Sequence, residues 1–172
     1  MMDIGLVSWQ QEVPRHFTSK IKNLAVQQSL TGMLKKRPHA FSVQLLALKA
    51  DKATEHGIFS QEHSTWMREV FLCLDGVPVV QARSECRNVP DSPWLSMLDR
   101  GESPLGQTLF GTQAPTFQRT PFEYNAEPLS APIYQQCCTP DALRYCRRSV
   151  FQLNGHALLM MESFLPRIEH FM

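Results

Sequence analysis

Two stretches of the chain alternate apolar residues around a two-residue polar break. Residues 65–84 do so around Asp75-Gly76, and residues 143–166 around Asn154-Gly155. Such dipeptides between apolar runs predict β-hairpins, because both central residues of a type I′ turn need positive φ. A two-residue loop also sets the register. In the first hairpin Leu74 then faces Val77 and Arg68 faces Arg83; in the second Leu153 faces His156 and Arg147 faces Glu162. Two arginines opposed on one face repel. The arrangement becomes sensible when an anion lies between them.

Elsewhere the period lengthens. Between Phe17 and Lys36, the residues Ile21, Leu24, Ala25, Leu30, Met33 and Leu34 recur at helical spacing. Gly32 weakens a continuous rod, so this segment reads as helix–turn–helix with Ser29 capping the second piece. Residues 41–49 (FSVQLLALK) predict a strand, and residues 50–63 a polar loop. Pro93 and Pro104 stand where short helices begin, over residues 93–98 and 104–110. The connection from 85 to 115 that holds them is too long to be featureless and reads as a lid over a site. Residues 116–124 predict a further strand, 125–142 a proline-bearing loop, and 1–15 a leader crossing the surface. The sum is an α+β fold: a single antiparallel sheet of about six strands, with helices on it, in one domain spanning 1–172.

Composition narrows the class. A length of 172 residues suits one domain with a sizeable core, and 43% hydrophobic with 19% charged residues is an ordinary globular mix. A formal charge of +1 offers no bulk attraction to nucleic acid or to an anionic membrane. No apolar run reaches the roughly 18–20 residues of a membrane span, and the N-terminus lacks the basic start and apolar stretch of a secretory signal. The five cysteines, Cys73, Cys86, Cys137, Cys138 and Cys146, have no regular spacing. That argues against a disulfide framework and for a reducing, cytoplasmic compartment. No histidine stands at a fitting distance from Cys137-Cys138 and Cys146, so no metal centre is expected.

Three side chains could carry chemistry. Guanidinium grips a carboxylate bidentately, and more strongly away from water. Arg68 and Arg83 on one apolar face would therefore suit a small, dianionic, partly hydrophobic molecule; the alternative is that one or both pair with nearby carboxylates or snorkel to a sheet edge. Glu162 emerges from an apolar stripe of Leu158, Met160 and Phe164. It reads either as a hydroxyl acceptor or general base, or as a structural partner of Arg147. Glu69 and Arg148 point to the opposite faces of their strands, and His156 sits at a turn. No nucleophile elbow, phosphate-binding glycine loop, HExxH or dinucleotide fingerprint occurs, so covalent catalysis and nucleotide cofactors are not indicated.

These segments resemble those of a known family. WMREVFLCLDGVPVVQARS is similar to the W-x-R-E-x-x-L-x-x-D-G-x-P-x-x-x-A/G-R-T/S stretch of bacterial chorismate pyruvate-lyases. SPLGQTLF resembles that family's T/R-P-L-G-x-x-L-F, and RRSVFQLNGHALLMMESFLP its R-R-S-x-x-x-L-x-G-x-P-L-L-L-x-E-x-F-L-P ending. The likeness runs from about residue 27 to 166, with order and spacing kept. It implies an antiparallel sheet with helical flaps over a buried ligand. It also implies removal of pyruvate from chorismate to leave 4-hydroxybenzoate, the first committed step toward ubiquinone, with no cofactor. By motif, Arg68 matches the arginine that holds the ring carboxylate, Glu162 the glutamate at the 4-hydroxyl end, and Leu105 a ligand-contacting leucine of the flap. Leu30 falls where the family usually has methionine, and Arg83 matches a second active-site arginine. Catalysis is then expected of Glu162, Arg68 and Arg83, and substrate binding of Leu30, Arg68, Leu105 and Glu162. The stretch after Arg83, the region 125–142 and Tyr145-Cys146 depart from the family's pattern. The expected partners are chorismate and 4-hydroxybenzoate, bound by a monomer. The alternatives are a non-catalytic aromatic-acid binder of this fold and a lyase releasing a different hydroxybenzoate.

Overall fold

A computed structural model describes residues 9–54, 57–99, 101, 103–110, 116–128 and 143–172. The helix–turn–helix is present as α1 (Ser19–Ala25) and α2 (Leu30–Lys35). Each begins on a side-chain cap: Thr18 Oγ1 accepts from the Ile21 N–H, and Ser29 Oγ from the Gly32 N–H. Next come β1 (Phe41–Lys52), β2 (Ser64–Leu74) and β3 (Val77–Arg87), so the first strand runs three residues past Lys49 into the expected loop. The connection holds α3 (Trp94–Leu98) and α4 (Leu105–Phe110), each starting just after its proline. The strand expected at 116–124 is two, β4 (Gln118–Arg119) and β5 (Glu123–Pro128), interrupted around Pro121, which has no N–H to donate. β6 (Leu143–Leu153), β7 (His156–Phe164) and a 3-10 turn (Pro166–Phe171) complete the described chain.

The seven strands make one antiparallel sheet in the order β1-β2-β3-β7-β6-β4, with β5 also on β6. Both hairpin turns adopt positive φ, 49° and 77° at Asp75 and Gly76, and 52° and 78° at Asn154 and Gly155. The second hairpin keeps the expected register from Leu153↔His156 to Arg147↔Glu162. The first does not. Leu74 pairs with Val77 and Cys73 with Pro78, but Leu72 pairs with Val80, leaving Val79 as an extra residue. Beyond this bulge Arg68 lies opposite Ser84, and Arg83 lies opposite Glu69. A one-residue slip turns every later side chain to the other face. The expected opposition of Arg68 and Arg83 is thereby overturned. Pro78 is the local cause: a proline inside an interior strand is tolerated at a bulge, because it has no N–H for the ladder.

Two apolar clusters lie side by side. α1 and α2 set Ile21, Leu24, Leu30 and Leu34 against Val70, Leu72, Val80 and Phe164. α3 and α4 set Trp94, Leu98, Leu105 and Leu109 against Phe151, Leu158 and Met160. Burying one such side chain contributes about 1.5–3 kcal/mol. Trp94 also anchors its helix by donating from Nε1 to the His156 carbonyl at 2.9 Å. Among the described residues, no helix is long and apolar enough to cross a membrane.

Candidate active site

A cavity of about 40 Å³ lies at the seam between the clusters. Its floor is the sheet, with Arg68, Val70, Ala82, Ser84, Met160 and Glu162; its roof includes Leu30 and Thr31 from α2 and Leu105 and Phe110 from α4. Four of the residues singled out by sequence, Leu30, Arg68, Leu105 and Glu162, therefore meet in one chamber. Leu30 and Leu105 are each the first residue of a short helix, so the cap at Ser29 and the proline at 104 aim them inward.

Arg68 is 3% exposed. Its Nη2 donates to the Gly101 carbonyl at 3.2 Å and the Ser103 carbonyl at 2.8 Å, which ties the floor to the chain entering α4. Glu162 is both ion-paired and in the cavity wall. Its Oε1 accepts from Arg147 Nε at 2.9 Å. Arg147 is fully buried, and its Nη1 also donates to the Ala25 carbonyl at 2.9 Å and to the Gln27 carbonyl. The Ala25 carbonyl is one that α1 leaves unpaired at its C-terminal end, where a cation is well placed, and Gln27 lies just beyond the helix.

Arg83 is outside the chamber. The face switch puts it against Glu85 Oε2 at 3.1 Å and Glu69 Oε2 at 3.5 Å. Glu85 is fully buried and also accepts from the Thr54 N–H. Burial raises the Glu85 carboxyl above the usual range, and Arg83 opposes that rise. The paired alternative weighed for Arg83 is the one realised. Arg148 likewise faces away and pairs with Glu123 at 3.2 Å.

Arg119 escaped sequence reasoning. Its Nε donates to Ser149 Oγ at 3.0 Å, and its Nη1 to the Gln28 carbonyl at 2.7 Å. Its guanidinium lies over the rings of Phe122, Phe151 and Phe110 at 4.4, 4.6 and 5.3 Å, and Arg147 lies over Phe122 at 4.1 Å. Burial pulls Arg119 down to about 10; Glu162 opposes the fall and Arg147 adds to it, so the group stays charged near neutral pH. A signal did exist: an arginine set among Phe117, Phe122 and Tyr124 in a predicted strand has an aromatic bed.

Cys73 and Cys86 are poorly placed to act as nucleophiles. Burial pushes Cys86 up to about 11 and also raises Cys73, and a protonated thiol is inert. Cys137 and Cys138 lie outside the described residues. Among those residues no group of three or more histidine, cysteine, aspartate or glutamate side chains is placed to hold a metal.

Fold and cavity together define a class: one antiparallel sheet whose two helical flaps roof an apolar chamber with arginine and glutamate in its wall. A family model described as Chorismate lyase matches residues 5–170, and the chain belongs to that family; it is a lyase. The sequence is 36% identical over 152 residues to a probable chorismate pyruvate-lyase of Aromatoleum aromaticum, covering 81% of this chain and 80% of the relative. It is 35% identical to a probable chorismate pyruvate-lyase of Dechloromonas aromatica (84% and 85% covered) and 29% identical to the chorismate pyruvate-lyase of Citrobacter koseri (91% and 88% covered). Among solved structures, the effector domain of PhnF from Mycobacterium smegmatis shares the fold at TM-score 0.57 and 15% identity, over 80% of this chain and 88% of that one.

Proposed function

We propose that this lyase removes pyruvate from chorismate and releases 4-hydroxybenzoate, the first committed step toward ubiquinone, acting as a monomer. One observation carries the reading: Arg68 and Glu162 both open into one small apolar chamber roofed by Leu30 and Leu105. A carboxylated six-membered ring with a 4-hydroxyl fits that pattern. Arg68 takes the ring carboxylate, the leucines cover the ring, and Glu162 receives the hydroxyl. The bond from ring carbon 3 to the ether oxygen breaks and the hydrogen on carbon 4 is lost. The ring becomes aromatic, and the departing enol gains a proton on its methylene carbon to become pyruvate.

Two routes deliver that hydrogen. Glu162 takes it as a general base, or it passes directly to the methylene while the protein supplies conformation and electrostatics. Glu162→Gln separates them. As a base, Glu162 contributes about 10²–10⁴-fold to kcat, and the glutamine variant loses that factor. As an orienting acceptor it is replaced by the glutamine carbonyl, and kcat falls by less than about tenfold, on the order of one lost hydrogen bond. The function itself is tested by incubating the protein with chorismate, following absorbance and identifying the product by chromatography. Unchanged chorismate rejects the proposal, and a different hydroxybenzoate corrects the product.

A further inference from the structure

Two guanidiniums, that of half-buried Arg119 and that of fully buried Arg147, stand beside a single carboxylate, Glu162, which lines the cavity. Phe122 lies under both of them, at 4.4 and 4.1 Å. Each keeps one buried nitrogen, its Nη2, without a hydrogen-bond partner among the described residues. Two positive charges against one negative, with two idle donors, is a costly arrangement away from water unless an anion completes it. Arg119 reaches the chamber wall through Gln28, which accepts its Nη1 proton, and through Phe110, over which it stacks; both of these residues line the cavity. Arg83, on the other face of the sheet, cannot serve here.

We propose that Arg119, with Arg147 beside it, is the second anion-binding group of the site and takes the carboxylate of the enolpyruvyl ether. This rests on the chorismate reading. The ether stands on the ring carbon next to the hydroxyl-bearing one, so its carboxylate falls at the Glu162 end while Arg68 holds the ring carboxylate. The pair thus selects the dianionic substrate over the monoanionic product. Pyruvate leaves with the group that Arg119 held.

The test compares wild type with Arg119→Gln and Arg119→Lys. Calorimetric titration uses two ligands, 4-hydroxybenzoate and its dianionic relative 3-(carboxymethoxy)-4-hydroxybenzoate, and steady-state kinetics use chorismate. In Arg119→Gln, affinity for the dianion should fall at least tenfold and the KM for chorismate should rise to match. Affinity for 4-hydroxybenzoate should stay within about threefold, and Arg119→Lys should recover part of the loss. Equal weakening of both ligands makes Arg119 merely structural and overturns the assignment, as does no change in either. Should the glutamine variant not fold, a crystal structure of wild type with the dianion decides: its ether carboxylate lies within about 3.5 Å of Arg119 Nη2, or the assignment is wrong. Wild type that neither consumes chorismate nor binds 4-hydroxybenzoate refutes the chorismate reading itself. Wild type that does both, with a dianion indifferent to Arg119, refutes only this inference.

Discussion

At the residue scale, charge placement separates the two arginines that the hairpin pattern had treated alike. Arg68 lies in the cavity wall, so Arg68→Ala should weaken 4-hydroxybenzoate binding by about 2–5 kcal/mol, the cost of truncating one partner of a buried charge pair. Titration of the folded variant checks this; near-normal affinity would remove Arg68 from the site. Arg83 neutralises Glu85, which is fully buried. Arg83→Ala should therefore destabilise the fold by on the order of 3 kcal/mol. The sign with pH follows from Glu85, whose folded pKa is already raised by burial. Folding favours its protonated form, so that variant should be least affected in acid and lose stability as pH rises through the raised value. Denaturant unfolding at several pH values measures both effects.

At the element scale, turn and cap chemistry carried the reading of the sequence a long way. Asp-Gly and Asn-Gly marked both turns, Ser29 marked the start of α2, and prolines marked the starts of α3 and α4. A two-residue loop fixes register only next to the turn, and the bulge at Val79 shifts it for the rest of the hairpin. Pro78, two residues beyond the turn, was the available warning. The first turn also has a titrating partner. Asp75 accepts from the Ala40 N–H and from His39 Nδ1, each at 2.8 Å, and these bonds lower its pKa. A lowered carboxylate pKa contributes stability that is present above the ordinary aspartate value, about 3.9, and is lost as pH falls through the folded value. Asp75→Asn tolerates the positive φ but cannot titrate. Its melting temperature should change less than that of wild type between neutral pH and about pH 3, as followed by circular dichroism.

At the scale of the whole molecule, the site is a seam. The chamber's 40 Å³ holds about three water-sized spheres, so the proposed ring substrate requires α2 and α4 to part. Arg68 bonds to carbonyls leading into α4, and Arg119 and Arg147 to carbonyls leading into α2; the groups proposed to bind the ligand thus also latch the flaps. Product should leave slowly and inhibit turnover; an unchanged rate at saturating 4-hydroxybenzoate would reject that. The sequence alone determined the turns, the caps, the antiparallel α+β plan, the register of the second hairpin and the meeting of Arg147 with Glu162, because each depends on spacing over a few residues or one tight loop. Tertiary structure decided which face Arg83 occupies, since a single extra residue in a paired strand reverses it. It also decided that Arg119 joins Glu162 and the carbonyl of Gln28, 91 positions away, because that meeting requires helix and strand to be packed before their charges can be neighbours.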